Sequence, residues 1–545
     1  MNNLALSFKR KHLLLLSLLS GLLFSLAWPS GGFPPLLFIA FVPLLLIEDH
    51  LSLHKQTYHP YQIIFYTYPG FFTWNLLTTW WIVNSTLFGV TMAVLFNSLF
   101  MSLVFLLYHW TKRRFSGSGK AYVLLVFYWI SFEYLHQHWD LTWSWLNIGN
   151  GYASFPAWVQ WYEYTGIFGG AAWIFAGNIA AIAVLKAMLQ RKSRRPLIIK
   201  SLVFVSVILI PLVFSLIRFH TYDEKQDPVQ VTVIQPNIDP YTEQYTLEPE
   251  VVMDRMLKLA DSKTPAGTEL LVCPESAIQE NIWENEPLFH QSPSILRWRE
   301  YLRTRPQLAV VTGASTFRRF ETGEKVSETA RYSKSNDFYY DAFNTALFLD
   351  SSDRIQVYHK SKLVVGVERM PFPRYLKFLE DYALDLGGTI GSLGISPERT
   401  VFRSSNGKLA LGTAICYESV YGEFFSRFVR NGAELMLIIT NDGWWGHTPG
   451  HRQHLGFASL RAIETRRCIA RSANTGISCF VDQRGIISQQ TGYWLPAAIR
   501  GTVNRNKQHT FYTKHGDYIG RISCWISLLL ILATLAGRFT FRSRN

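Results

Sequence analysis

Apolar residues fall along this chain in two patterns. Over the first 217 residues they form long runs, at 13–28, 33–47, 62–83, 86–110, 121–137, 167–187 and 197–217, and one more run follows at 519–538. About 20 apolar residues in a helix cross the roughly 30 Å hydrocarbon core of a bilayer, so the pattern predicts about eight transmembrane helices. The runs at 33–47 and 121–137 are short, which leaves a count of seven open. The second pattern occupies 229–505, where shorter apolar runs alternate with amphipathic segments. That alternation predicts an α/β domain, with strands at 229–237, 269–275, 308–315, 344–350, 408–416 and 434–442 and helices at 248–262, 292–303, 418–430 and 450–467. The expected organisation is an N-terminal transmembrane domain at 1–220, a folded polar block at 228–505, and a C-terminal transmembrane helix with a short tail at 515–545.

Charge placement tests that count and gives the block a side. Lys9, Arg10 and Lys11 precede the first run, and Lys112, Arg113, Arg114 and Lys120 follow the fourth. Arg191, Lys192, Arg194, Arg195 and Lys200 follow the sixth, and Arg538, Arg542 and Arg544 end the chain. With eight spans all of these fall on one side, which the positive-inside rule assigns to the cytoplasm. Both termini are then cytoplasmic and the polar block is outside. The first run also has the form of a signal peptide, but the spans that follow it favour a retained anchor. At 545 residues and 48% hydrophobic, the chain does not read as one soluble domain. The formal charge of +14 sits mainly in short loops beside the spans, so it speaks for topology and anionic-lipid contact rather than nucleic-acid binding.

The segment WDLTWSWLNIGNGYASFPAWVQWYEYTG, 139–166, holds five tryptophans and three tyrosines. Such rings favour headgroup level, so it reads either as an interfacial aromatic belt or as a wall of a lipid access groove. The five cysteines, Cys273, Cys416, Cys468, Cys479 and Cys524, include no CxxC pair. This odd, unpatterned set predicts no disulfide framework and at least one free thiol outside.

Three of the predicted strands end in a reactive or polar residue, namely Glu275, Cys416, and Asn441 with Asp442. Ligands of α/β sheets bind off the carboxyl ends of strands. Cys416 lies at a strand-to-helix turn, where backbone N–H groups favour anionic species; a buried structural cysteine is the alternative. Glu275, in LVCPES, ends an apolar run where a carboxylate is costly unless paired or functional, and Lys360, in VYHKSKL, closes another strand. Together they supply a base, an oxyanion stabiliser and a nucleophile. His447, His451 and His454 have spacings readable as metal ligands, but no carboxylate or thiol motif accompanies them.

The strings CPES, YHKSKLVVGVE, AICYES and NDGWWG, in this order and spacing, resemble the carbon-nitrogen hydrolase (nitrilase) superfamily. With the flanking spans, the chain looks like the membrane-anchored, lipoprotein-acylating branch of that superfamily. The resemblance implies an extracytoplasmic nitrilase-like αββα sandwich on a polytopic α-helical membrane protein of a bacterial inner membrane, with no metal and no cofactor. Carried over by position, it makes Glu275 the catalytic base, Lys360 the oxyanion-stabilising lysine and Cys416 the nucleophile, supported by Glu368, Tyr417 and Glu418. QPNI at 235–238 and RAIE at 461–464 match as well. Lys362 rivals Lys360, but only Lys360 keeps the eight-residue interval to Glu368. Glu418 also reads as a helix-start charge.

The sequence departs from the family pattern at three places. Cys273 stands where a Trp is usual, LVVGVE replaces LVPFGE with Gly366 one place early, and Tyr245 stands in for a Trp after QPNI. The triad is untouched; acyl-chain and headgroup preference are what these changes affect. The implied partners are a phospholipid acyl donor, phosphatidylethanolamine by expectation, and a diacylated apolipoprotein acceptor, handled by a monomer. A membrane-tethered amidase or nitrilase would use the same triad with water, and a binding scaffold would have lost it. The segment 370–388 is expected to be a mobile membrane-facing lid or else an ordinary packed loop.

Overall fold

The long apolar runs fold as helices: Arg10–Ala27, Gln62–Thr79, Leu87–Arg114, Tyr122–Leu135, Tyr162–Leu189, Arg194–Thr221 and Tyr518–Ala536. The run near 33–47 is a broken helix of three pieces, Pro34–Leu36, Leu37–Ala40 and Val42–Leu53. The structure is a computed structural model that describes residues 8–114, 121–189, 194–285, 287–372, 375 and 392–536. Six helices among these are long and apolar enough to cross a membrane. The other two expected spans fall short for visible reasons. Gln62–Thr79 is diluted by Asn75 and several threonines, and Tyr122–Leu135 has 14 residues, about 21 Å of helix.

The chain divides into two units, Met1–Thr221 with Asp517–Asn545, and Tyr222–Gly516. In the helical unit, lipid removes most of the hydrophobic drive between helices, so close approach and polar ties hold them. A Cβ on Gly21 would stand 2.4 Å from the Gly70 carbonyl oxygen, and the Gly70 N–H donates to Ser17 Oγ at 2.8 Å. Only two glycines permit that crossing. Lys112 pairs with Glu48 and, at 2.7 Å, with Asp49, which also takes Lys186 at 2.5 Å; His109 meets Glu48 at 2.9 Å. Each of these buried charges thus has a partner, as burial at such depth requires.

The aromatic segment is split between buried and exposed rings: Trp139 and Tyr164 are exposed, Trp143 and Trp158 half-buried. Trp145, Ile148, Tyr152 and Tyr162 are buried within the helical unit. The reason is local satisfaction of irregular backbone: Glu133 Oε1 accepts the Ile148 N–H at 2.7 Å, and Asn150 Nδ2 donates to the Ser144 carbonyl at 3.0 Å. Non-helical backbone is tolerated at membrane depth only when its polar groups are met this way.

The second unit carries two sheets. One has eight strands: β1 (Pro228–Gln235), β2 (Leu270–Val272), β3 (Ile278–Trp283), β4 (Ala309–Arg319), β5 (Arg331–Ser333), β6 (Phe338–Leu349), β7 (Gln356–His359) and β14 (Ala497–Asn504). The other runs in the order β13-β12-β11-β10-β9-β8, from β8 (Val401–Arg403), β9 (Ala410–Ile415), β10 (Leu435–Thr440), β11 (Ile469–Ala473), β12 (Cys479–Val481) and β13 (Ile487–Ser488). β1, β2 and β4 run parallel, as do β9, β10 and β11. The sheets face each other: Ser472 Oγ donates to the Ile234 carbonyl at 2.8 Å and Phe348 stacks on Phe402. Helices Pro249–Lys263 and Pro293–Arg303 pack Val252, Met256, Ile295 and Trp298 onto the first sheet's outer face. Gly422–Arg430 and Pro449–Thr465 cover the second. This is the αββα sandwich.

The boundaries shift where chemistry intrudes. β2 stops at Val272, so Glu275 lies in a loop beyond the strand rather than ending it. The helix expected at 418 begins at Gly422, because a 3-10 turn, Cys416–Val420, precedes it.

Candidate active site

Each reactive residue sits just past a strand. β4 makes room for the CPES loop with Gly313: a Cβ there would meet the Pro274 oxygen and the Ser276 nitrogen at 2.5 Å, and Gly313 N–H donates to the Pro274 carbonyl at 3.0 Å. Ser276 closes the loop in the left-handed region, φ 52°. Lys360 follows β7, and its backbone N–H donates to the Asn344 carbonyl at 2.8 Å. Cys416 follows β9 with φ 50°. That region costs a non-glycine residue about 1–2 kcal/mol, and such strain collects at functional turns.

The side chains converge. Lys360 Nζ donates to Glu275 Oε1 at 2.9 Å and to Glu368 Oε1 at 2.8 Å. Asn344 Nδ2 bridges the same two oxygens at 2.7 and 3.1 Å, and the Asn441 N–H reaches Glu275 Oε2 at 3.0 Å. Glu275, Lys360 and Cys416 are all buried. Glu275 and Glu368 hold Lys360 well above the usual ammonium range, although burial pulls it down. Burial pushes the Cys416 thiol up, Glu275 adds to that, and Lys360 pulls it back. The thiol therefore rests protonated beside a carboxylate and a permanent cation.

Glu418 does not face this cluster. Its Oε2 accepts the Ile415 N–H at 2.8 Å, and its Oε1 accepts from Ser361 N at 2.6 Å, Tyr358 OH at 2.7 Å and Lys362 N at 3.3 Å. One carboxylate thus ties the turn carrying Cys416 to the loop carrying Lys360. It also lies in the first turn of Cys416–Val420 and takes the N–H of the residue capping that turn, so the helix-start reading holds alongside the tie. Tyr417 is buried edge-on against Tyr421, which leaves its backbone as the part able to serve the site. Tyr245 has φ 65°, and its hydroxyl meets Ser276 and Ser315, close enough for Glu275 to act on it. Of the two lysines, Lys360 bridges the carboxylates, whereas Lys362 lies over the Tyr421 ring at 4.8 Å.

Behind Cys416 stands a buried network that joins NDGWWG and RAIE to residues outside those motifs. Asp442 pairs with His454 Nδ1 at 3.0 Å and Arg471 at 2.5 Å. His454 Nε2 lies 3.1 Å from the Cys416 carbonyl and 2.9 Å from Ser419 Oγ. From the RAIE helix, Arg461 donates to the Val420 carbonyl at 2.6 Å. His454 therefore holds the turn rather than a metal, and His451 stacks on Tyr493 at 3.9 Å. No group of three or more His, Cys, Asp or Glu arranged for a metal occurs among the described residues. Asn344 has no motif of its own; its one signal is an amide opening the strand-like stretch NTALFLD. From QPNI, the Asn237 and Ile238 N–H groups donate to Asn474, joining the sheets. Cys273 packs inside the first sheet's core and not in the site. All five cysteines are free. The expected lid at 370–388 lies almost wholly outside the described residues.

Two family models match: carbon-nitrogen hydrolase over residues 230–507 and the N-terminal domain of apolipoprotein N-acyltransferase over 20–180. The apolipoprotein N-acyltransferase of Chlorobaculum tepidum is 30% identical, covering 95% of both chains. That of Geobacter metallireducens is 28% identical, over 92% of this chain and 91% of its own. The Thermotoga maritima counterpart is 25% identical over 98% and 94%. With both models and full-length relatives in agreement, the chain belongs to the apolipoprotein N-acyltransferase family of the carbon-nitrogen hydrolase superfamily.

Proposed function

We propose that this protein moves an acyl chain from the sn-1 position of a phospholipid, phosphatidylethanolamine by preference, to the α-amine of an S-diacylglyceryl-cysteine at the N-terminus of an apolipoprotein. The observation that carries the reading is Lys360 Nζ held between Glu275 and Glu368 at 2.9 and 2.8 Å, on strand ends shared with the strained Cys416 turn. Glu275 accepts the thiol proton while Sγ attacks the ester carbonyl, and Lys360 with backbone N–H groups, Tyr417's among them, faces the oxyanion. The carbonyl–oxygen bond to glycerol breaks, Glu275 returns the proton to that oxygen, and lysophospholipid leaves a Cys416 thioester. The acceptor amine then attacks the thioester, its proton passes through Glu275 to the departing sulfur, and an amide replaces a thioester.

In this reading the protein is a monomer, residues 1–220 and 515–545 anchor it in the inner membrane with both termini cytoplasmic, and 228–505 forms the catalytic domain on the periplasmic side. Anchoring has an energetic reason: a soluble enzyme would have to extract each acyl chain at about 0.8 kcal/mol per CH₂. The decisive experiment supplies phospholipid labelled in the sn-1 chain and follows a hydroxylamine-sensitive adduct on Cys416, then adds a diacylated lipopeptide. Label should pass to the lipopeptide nitrogen, and Cys416→Ala should form no adduct. Release of label only as free fatty acid would sink the transferase reading in favour of hydrolysis.

A further inference from the structure

Of Glu275, Lys360 and Cys416, only Cys416 has its backbone in the left-handed region, φ 50°. A residue other than glycine stays there when its surroundings over-determine it. Part of that constraint falls on the Cys416 carbonyl oxygen. Ser419 Oγ donates to it at 2.8 Å, and His454 Nε2 lies 3.1 Å from it. Ring nitrogen and hydroxyl also meet each other at 2.9 Å. The carbonyl oxygen only accepts, and the one hydroxyl hydrogen of Ser419 is given to it. Nε2 therefore faces the carbonyl as an N–H, a tautomer that follows from the hydrogen-bond pattern.

The imidazole is fixed from its other side. Its Nδ1 meets Asp442 Oδ1 at 3.0 Å and Arg471 Nη2 at 3.2 Å, and the Trp445 ring stands edge-on to it at 5.5 Å. Asp442 is held in turn by Arg471 at 2.5 Å and by Thr440 Oγ1 at 2.7 Å. The helix that carries His454, Pro449–Thr465, also holds the far end of the turn. Arg461, at i+7 from His454 and so on the same face, donates to the Val420 carbonyl at 2.6 Å and pairs with Glu464 at 2.8 Å. One helix thus ties the Cys416–Val420 turn at its first and last carbonyls.

We propose that His454 is a positioning residue for the acyl transfer: its Nε2–H, with the Ser419 hydroxyl, fixes the Cys416 carbonyl and so the direction of the Cα–Cβ bond that carries the thiol. This deepens the reading of Cys416 as acyl carrier and rests on it. Released from these two donors, the Cys416 backbone relaxes out of the left-handed region and turns Sγ away from Glu275. His454 is not a second base for the thiol, because its Nε2 hydrogen is committed to a backbone oxygen. It acts through the turn and touches no reacting atom.

The test uses the full-length protein in mixed micelles with phospholipid labelled in the sn-1 chain. Label on Cys416 is followed through the first acylation, for its rate constant and its final amount. His454→Phe should slow acylation about 100-fold at saturating phospholipid, while the half-saturating concentration and the final amount of label stay at wild-type values. His454→Gln, whose amide offers an N–H to the same carbonyl, should recover about tenfold of that loss. Ser419→Ala should slow acylation about fivefold, and this smaller deletion carries the test if His454→Phe does not fold. A merely structural role would lower the amount of label, through unfolded molecules, and leave the rate constant of the remainder unchanged. That outcome overturns the proposal, as would equal rates for His454→Gln and His454→Phe, or a wild-type rate for Ser419→Ala. Absence of label on wild-type Cys416 overturns the acyl-carrier reading instead, so the two failures are distinct.

Discussion

Glu418→Gln tests how the site is held together. The carboxylate offers Oε1 to three donors on the lysine side and Oε2 to the Ile415 N–H on the cysteine side, at distances of 2.6 to 3.3 Å. Glutamine has one acceptor oxygen. Turned toward Ser361 and Tyr358, it presents its NH₂ to the Ile415 N–H, donor against donor. The loss is one hydrogen bond to a charged group, about 1.5–3 kcal/mol, plus a buried N–H left unmet at about 1–3 kcal/mol. A total near 4 kcal/mol lowers the unfolding midpoint by roughly 10 °C for a unit of this size. Repulsion at Ile415 also pushes on the next residue, Cys416, and misplacing a nucleophile by about 1 Å costs about 100-fold in rate. Tyr358→Phe is the control: it removes a bond on the lysine side only, so stability should fall with a far smaller loss of rate. Thermal unfolding and the rate of Cys416 acylation measure the two effects. If Glu418→Gln acylates within twofold of wild type, the carboxylate does not position the turn.

Gly313→Ala should push the CPES loop off β4, because the new Cβ meets backbone atoms at 2.5 Å; acylation should drop at least tenfold while far-UV circular dichroism is unchanged. His451, buried against Tyr493, is held neutral: burial lowers it to about 4, against the pull of Asp442 and with the push of Arg452 and His447. The unfolded chain protonates it below about 6.5, so its stability contribution is complete above that pH and is lost on falling toward about 4. That loss is on the order of 3 kcal/mol, and His451→Phe should flatten the melting profile over that window. Gly21→Leu should drive apart helices Arg10–Ala27 and Gln62–Thr79, seen as a lower melting point in detergent; an unchanged value would mean that the crossing does not matter.

The reactive strings were legible because their chemistry is contiguous in the chain. CPES, HKSKL and AICYES each place a side chain at a strand end, and strand ends meet at one edge of a sandwich. Asn344 reaches Glu275 across 69 residues and Arg471 reaches Asp442 across 29, and no local pattern encodes such pairings. β5, β8, β12 and β13 are two or three residues long, too short for a period of two to register. In the aromatic segment, composition reports that tryptophans suit an interface, but not that Glu133 and Asn150 satisfy the irregular backbone around Ser144 and Ile148.

The charge count of the site explains why a lone thiol suits it. Glu275 and Glu368 against Lys360 leave one net negative charge beside Cys416, and the thiol is buried there. A second anion, the thiolate, is disfavoured, so Lys360 is no standing activator of the sulfur; it is largely occupied by two carboxylates. With Glu275 as base, proton transfer neutralises that carboxylate as the sulfur bonds to the carbonyl, and the negative charge reappears on the carbonyl oxygen. The cluster's total never changes; the charge moves from a carboxylate to the oxyanion, and Lys360, released from one partner, is free to meet it. In the proposed mechanism, nucleophilicity is thus conditional on an acyl group being present. Oxidants attack thiolates far faster than thiols, so the same arrangement should slow oxidation of Cys416 between turnovers.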